Sequence, residues 1–170
     1  MRDEPRRIGA AYKLASCGDV VLATRLLGKA LSNERESVRR AAIYGLVAAG
    51  PDATDVLLQA SASPVKWVRK AGVHGLGEVA PLTRDVLDAV TDRLANDPSA
   101  YVRSTAGIAL GCIGRRAIAT GVGKSLVPDC ADALLDSLAQ ETNRLGMNIA
   151  QNRSIKFVRP TDECDVCEGI

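Results

Sequence analysis

The sequence predicts an all-α protein, a solenoid of about four to five stacked helical hairpins, and three observations carry that prediction. A nine-residue phrase recurs along the chain in a constant internal phase. Its apolar positions fall at helical spacing. Aromatic residues are scarce, one Trp, three Tyr and one Phe in 170 residues, whereas sandwiches and barrels fill their interiors with rings and β-branched side chains. At 46% hydrophobic and 25% charged, the chain has enough apolar material for a core and does not read as disordered.

The clearest copies are Val38-Arg39-Arg40-Ala41-Ala42-Ile43-Tyr44-Gly45-Leu46 and Val68-Arg69-Lys70-Ala71-Gly72-Val73-His74-Gly75-Leu76. A third runs from Val102 to Gly111, a looser one from Arg6 to Leu14, and a degraded fifth starts at Asn143. The arginines at 7, 39, 69, 103 and 144 are therefore 32, 30, 34 and 41 residues apart. Counting each leading Val as 0, apolar residues occupy offsets 0, +4, +8 and +11: Val38, Ala42, Leu46, Ala49; Val68, Gly72, Leu76, Val79; Val102, Ala106, Leu110, Ile113. That is one stripe of an α-helix. Small residues at +3 and +7 (Ala41, Gly45; Ala71, Gly75; Thr105, Ala109) predict close approach of a neighbouring helix, with packing outweighing a helix penalty of about 1 kcal/mol per glycine.

Taken in order, the first copy is followed by an apolar helix over Val20 to Leu31, then the polar bend Ser32-Asn33 and the second copy. A helix over Thr54 to Ala60 leads through Ser61-Ala62-Ser63-Pro64 to the third copy, and one over Thr83 to Leu94 leads through Asp97-Pro98-Ser99 to the fourth. Asn33, Ser63 and Asp97 each stand five residues before a leading Val, with side-chain oxygens suited to accept from backbone N–H groups. Arg115 to Leu126 reads as a lengthened connection. Pro128 and Asp129 then open a helix to Leu138, because Pro has the helical φ and Asp suits the dipole. Residues 1–150 are thus assigned to the repeat array. Residues 151–170 form a remainder in which 151–160, with Ile155, Phe157 and Val158, would cap the last flank ahead of an acidic, cysteine-containing tail.

These residues resemble HEAT repeats, especially the short bacterial and phycobilisome-lyase-like type, with Ala95-Asn96-Asp97-Pro98 through Ile113-Gly114 the nearest stretch. The resemblance covers roughly residues 6 to 150 and implies an armadillo-like superhelix. Asn33 and Ser63 depart from it, standing where the family's turn has aspartate. The resemblance also implies that the Val-Arg helix is the second of each hairpin and lines a concave side. Offsets +2 and +6 would then project inward: Ile8 and Tyr12, Arg40 and Tyr44, Lys70 and His74, Ser104 and Ile108. Tyr12, Tyr44 and His74 would make one row, with Arg40 and Lys70 beside it, and aromatic anchors among cations suit a protein partner with an acidic helix or tail. The plainer reading is that such tyrosines cover neighbouring methyl groups and keep the phenol in water. By the same resemblance the arginine ladder is structural, pairing with turn oxygens, and Asn33, Ser63 and Asp97 are its expected partners.

The expected function is a non-enzymatic protein-interaction scaffold in the cytoplasm, with end-to-end self-association open to it and no cofactor. A net charge of +2 argues against a protein that grips phosphate backbones. No apolar run approaches the roughly 18 residues of a membrane span, and the start of the chain does not look like a signal peptide. Two alternatives come from other classes. One is an enzyme subunit resembling the phycobilin lyases, with a tetrapyrrole in the groove. The other is a metal- or redox-responsive adaptor using Cys164 and Cys167, whose spacing lets two thiolates face one ion but supplies half a site. Gly121-Val122-Gly123-Lys124-Ser125 imitates a phosphate loop, yet Ile118 occupies the position of the required first glycine. Catalysis would fall to His74, the one histidine, which has no motif around it.

Overall fold

A computed structural model describes residues 3–79 and 81–151 of the chain, with side chains as far as 142. Among the described residues there are eight α-helices: α1 (Glu4–Ala15), α2 (Val20–Ala30), α3 (Glu36–Ala49), α4 (Thr54–Ser61), α5 (Lys66–Val79), α6 (Arg84–Asn96), α7 (Ala100–Thr120) and α8 (Val127–Gln151). Short 3-10 turns precede α4 (Gly50–Ala53) and α8 (Lys124–Leu126), and no strand occurs among the described residues. The chain divides into two units, Met1–Ser137 and Leu138–Ile170.

In the first unit the Val-Arg helices α1, α3, α5 and α7 pack in chain order, each on the next, and α2, α4 and α6 form a second layer in the same order. This is a stack of helical hairpins, as the sequence predicts. The apolar stripe makes the contact between layers. Leu46, Leu76 and Leu110, all at offset +8, are fully buried, as are Val102, Ala106 and Ile113. The facing layer contributes Ala23, Leu27, Leu31, Leu57, Val86, Leu87 and Val90. Each fully buried Leu or Val is worth about 1.5–3 kcal/mol relative to exposure, so the repeated stripe is the main source of stability.

Glycine sets the closeness of the layers at two places. A Cβ on Gly72 would stand 2.4 Å from the backbone nitrogen of Ser61 and 2.7 Å from the carbonyl oxygen of Leu57, so α5 lies backbone to backbone on α4. A Cβ on Gly77 would stand 2.8 Å from the Cα of Ala109, which fixes α5 against α7. Larger residues would push these helices apart.

Helix starts follow two designs. α2 and α6 have side-chain caps, with the Leu22 N–H donating to Asp19 at 2.9 Å and the Val86 N–H to Thr83 Oγ1 at 3.4 Å. α3, α5 and α7 begin instead from a repeated bend. There the side-chain oxygens of Asn33, Ser63 and Asp97 accept from the N–H two residues on, at 3.0, 3.2 and 2.9 Å. The bend thereby satisfies its own backbone and directs the chain into the helix.

Two expected connections differ. α7 continues to Thr120, so Arg115–Thr120 is helix rather than loop, because Ala117 still packs into the core and Gly121, at φ +74, supplies the left-handed stop. The bend expected before the fifth copy is absent, and α8 runs unbroken from Val127 to Gln151. Ala139-Gln140-Glu141-Thr142-Asn143 has neither Pro nor Gly and lacks the Ser-Asn, Ser-Pro or Asp-Pro pairs that turn the earlier copies. The stretch Glu36–Ser61 is long and apolar enough by composition to suggest a membrane span, but Gly50 at φ +68 and Pro51 divide it into α3 and α4.

Candidate functional site

The arginine ladder has an internal role. Arg39 Nη1 donates to the carbonyl oxygens of Asn33 and Glu34, both at 2.8 Å, and Arg69 Nη1 donates to those of Ser63 and Pro64 at 3.0 and 2.9 Å. Arg103 Nη1 repeats the bond to Asp97 at 3.0 Å. These arginines hold the bend that begins their own helix, with backbone carbonyls accepting in place of the side chains. Arg69 goes further, because its Nε and Nη2 donate to both carboxylate oxygens of Asp97, in the bend of the next repeat. Arg7 reaches the next copy through Ser37 Oγ at 3.2 Å. Arg144 lies where side chains are outside the described residues.

Burial works against the Asp97 carboxylate, but the hydrogen bonds from Arg69 and the Ser99 N–H outweigh it and hold its pKa below the usual carboxylate range. The hydrogen bond to Asp97 likewise raises Arg69. This pair is structural, since it lies within the joint between repeats.

The face of the Val-Arg helices that turns away from the second layer has a different character. Tyr12, Tyr44 and His74, the expected row at offset +6, are all exposed, as are Lys70 at +2 and Ile108 at the next +6 position. They sit on α1, α3, α5 and α7, which pack successively, so equivalent offsets share one face. The contact between Arg40 and Glu4 demonstrates the continuity. Arg40 Nη1 meets Glu4 Oε1 at 3.0 Å across two helices, and its Nη2 meets Glu36 Oε1 at 3.1 Å within its own. Arg40 is thus on the expected face, but its charge is answered by two carboxylates of the chain.

The same face includes two residues that the offset reasoning missed. Trp67 and Tyr101 both stand at offset −1 of their copies, on α5 and α7, and are 46% and 59% exposed. Offsets −1, +2 and +6 are i, i+3 and i+7 of a helix and therefore share a side. The signal was available in the alignment of the copies, one position before the phrase used to define the repeat. Tyr12 and Tyr44 are 44% and 42% exposed, so all four rings of the described residues lie on this one face. The core is aliphatic.

Other candidates fall away or lie elsewhere. Cys164 and Cys167 are outside the described residues. Among the described residues no cluster of three His, Cys, Asp or Glu side chains is placed to hold a metal ion. Cys17, Cys112 and Cys130 are free thiols, and burial raises the pKa of Cys130. The glycine-rich stretch before Lys124 has helix α7 leading into it, where a phosphate loop would have a strand.

Comparison with protein families matches residues 23–111 to HEAT repeats. No curated protein matches the chain. The matched span begins in α2, ends in α7, and contains α3, α5 and the first part of α7 together with their bends and the Arg69–Asp97 joint. The repeated bend, the inward stripe and the arginine bonds recur in register across it, and the chain belongs to the HEAT-repeat family.

Proposed function

We propose that this protein is a non-enzymatic scaffold that binds a protein partner on the exposed face of α1, α3, α5 and α7, taken as the concave side of the solenoid. HEAT repeats generally mediate protein–protein interaction, which supplies the class of function. The observation that carries the finer reading is the placement of the rings. Burying a Tyr or Trp contributes more to a core than burying an alanine, yet among the described residues the core is built without them and the rings all lie on one solvent-facing side. Rigid aromatic side chains on a pre-formed helical surface are what recognition favours, because little conformational freedom is lost when they are covered.

The contacting residues in this reading are Tyr12, Tyr44 and His74, with Lys70 and Arg40 flanking them and Trp67 and Tyr101 extending the surface. Lys70 supplies open positive charge, whereas Arg40 is pre-oriented by Glu4 and Glu36. The fitting partner has an acidic helix or tail. A reducing, cytoplasmic setting suits three thiols that remain unpaired.

The test is affinity capture from a lysate of the source cells, comparing the natural chain with a Tyr12→Ala/Tyr44→Ala/His74→Ala variant of unchanged circular dichroism and melting temperature. Proteins retained by the natural chain should be lost from the variant. Undiminished recovery of the same partners would refute this assignment of the face.

A further inference from the structure

We infer that Lys66, Trp67, Lys70 and Tyr101 form a discrete anchor for an acidic peptide segment carrying apolar side chains. The inference rests on the reading of the exposed face as a protein-binding surface and assigns the partner's chemistry to one part of it.

Charge along the face changes sign between the second and third repeats. Offset −2 is Glu4 in the first copy and Glu36 in the second, and both carboxylates engage Arg40. The same offset is Lys66 in the third copy and Ala100 in the fourth. Lys70, the counterpart of Arg40, therefore has a second cation one turn away in place of a carboxylate. Among the described residues no carboxylate pairs with Lys66 or Lys70. Glu78 lies two turns beyond Lys70, roughly 12 Å along the helix, and its carboxylate faces Cys112 Sγ at 3.8 Å. The charge that Glu4 and Glu36 answer internally in the first two repeats is therefore left open to solvent, and to a partner, in the third.

The apolar part lies beside this charge. Trp67 and Tyr101 hold the same offset at the starts of α5 and α7, helices that pack on each other and draw closest ten residues beyond Trp67, where Ala109 leaves no room for a Cβ on Gly77. Packed helices are about 8–10 Å apart, a spacing that admits an aliphatic side chain between two rings. Ile108, two turns beyond Tyr101, is 63% exposed and continues the apolar strip. Lys66 Nζ stands 4.1 Å from the Trp67 ring centroid. An exposed cation–π contact is weak, so Lys66 is free to turn to a carboxylate while its stem stays on the indole. Lysines beside rigid rings thus fit a segment in which Asp or Glu alternates with Leu-like residues. A nucleic-acid strand fits less well, because Glu4, Glu36 and Glu78 interrupt any continuous phosphate track along the face.

Trp67 is the one tryptophan of the chain, so its emission reports this site directly. The full chain is titrated with a pool of 12-residue peptides rich in Asp and Glu, free of aromatics, each with two leucines at varied spacing. A pool with Lys in place of the acids and a 12-nucleotide oligo-dT serve as comparisons. The expected result is a saturable blue shift with the acidic pool alone, weakened at least tenfold in Lys66→Glu/Lys70→Glu and several-fold in Tyr101→Ala. Lys66→Gln/Lys70→Gln should weaken binding in the same direction, and it replaces the charge-reversed pair if that variant melts early. No response to the acidic pool, or a response that both lysine variants leave intact, overturns the anchor. An equal or stronger response to oligo-dT replaces it with a nucleic-acid site. Acidic peptides that bind by anisotropy, are lost in Tyr12→Ala/Tyr44→Ala and are indifferent to the lysine variants would overturn the anchor while leaving the wider face in place.

Discussion

Arg69 and Asp97 join consecutive repeats through a bidentate ion pair, with Nε to Oδ2 at 2.6 Å and Nη2 to Oδ1 at 3.0 Å. Both are buried, at 8% and 1% exposure, and each also secures a bend: Arg69 through the carbonyls of Ser63 and Pro64, Asp97 through the Ser99 N–H. One pair therefore fixes two bends and the register of α5 on the segment that starts α7. Removing Asp97 leaves the buried Nε and Nη2 of Arg69 without acceptors, and removing Arg69 leaves the buried carboxylate with the Ser99 N–H and the longer contact to Arg93 Nη1 at 3.7 Å, losses of up to about 3–5 kcal/mol. Arg69→Met and Asp97→Asn should each lower the denaturant midpoint by that equivalent, and the double variant should lose much less than the sum. Strict additivity in that cycle would show that the two side chains do not act as a unit.

Arg39 makes the same Nη1 bonds to its own bend, but the next bend presents Ser63 where the fourth copy has Asp97. Ser63→Asp should complete a second joint. Aspartate can keep the bond to the Val65 N–H and offer its other oxygen to Arg39. The gain at this partly exposed site is about 1 kcal/mol, a rise in Tm of about 2–4 °C, and it should vanish in an Arg39→Ala background. A rise that persists without Arg39 would point to the bend alone.

The depressed pKa of Asp97 gives a signed pH dependence. Its ionised form is favoured in the folded chain, so the stabilisation is fully present above the unfolded carboxylate value of about 3.9. It is lost as pH falls through that value and on through the lower folded one. Thermal melts of the natural chain between pH 7 and pH 2 should therefore steepen below about pH 4, whereas Asp97→Asn starts lower and should fall less over the same interval. Parallel curves would remove Asp97 from the acid transition.

Two helix-interior glycines should respond in opposite directions. Gly72→Ala drives a methyl into the backbone of Ser61 and should destabilise by about 1–3 kcal/mol or more. Gly9 lies within α1 and has no atom within 4 Å of its Cβ position, so Gly9→Ala should stabilise by about 0.5–1 kcal/mol. Chemical denaturation of the two variants checks both signs.

If the exposed rings serve recognition more than packing, Tyr12→Ser, Tyr44→Ser and Tyr101→Ser should each change stability by less than about 0.5 kcal/mol. Losses above about 1.5 kcal/mol would mean that these rings chiefly cover neighbouring methyl groups.

The hairpin unit, its phase and the roles of the bends were legible in the sequence because the same residue types recur at the same offsets. Leu46, Leu76 and Leu110 announce one stripe, and Asn33, Ser63 and Asp97 announce one turn. The extent of α7 was not, because Arg115 to Ala119 are neutral in pattern and become helical through the packing of Ala117. The continuity of α8 was also missed, since a degraded copy of the phrase at Asn143 outweighed the absence of any turn chemistry before it. On the exposed face, offset +6 picked out Tyr12, Tyr44 and His74 as solvent-facing, whereas Trp67 and Tyr101 lay just outside the repeated phrase.

Local periodicity by itself determined that this chain forms paired helices and which side of each is apolar, because that side repeats within a single helix and needs no distant partner. Tertiary structure decided what the charged residues do. Arg40 and Lys70 hold one offset, yet Arg40 is met by Glu4 from another helix, whereas among the described residues no carboxylate meets Lys70. Arg39 and Arg69 likewise differ only in what the following repeat places opposite them. Ion pairing depends on separation and desolvation between segments about 30 residues apart, quantities that appear only once the helices are stacked.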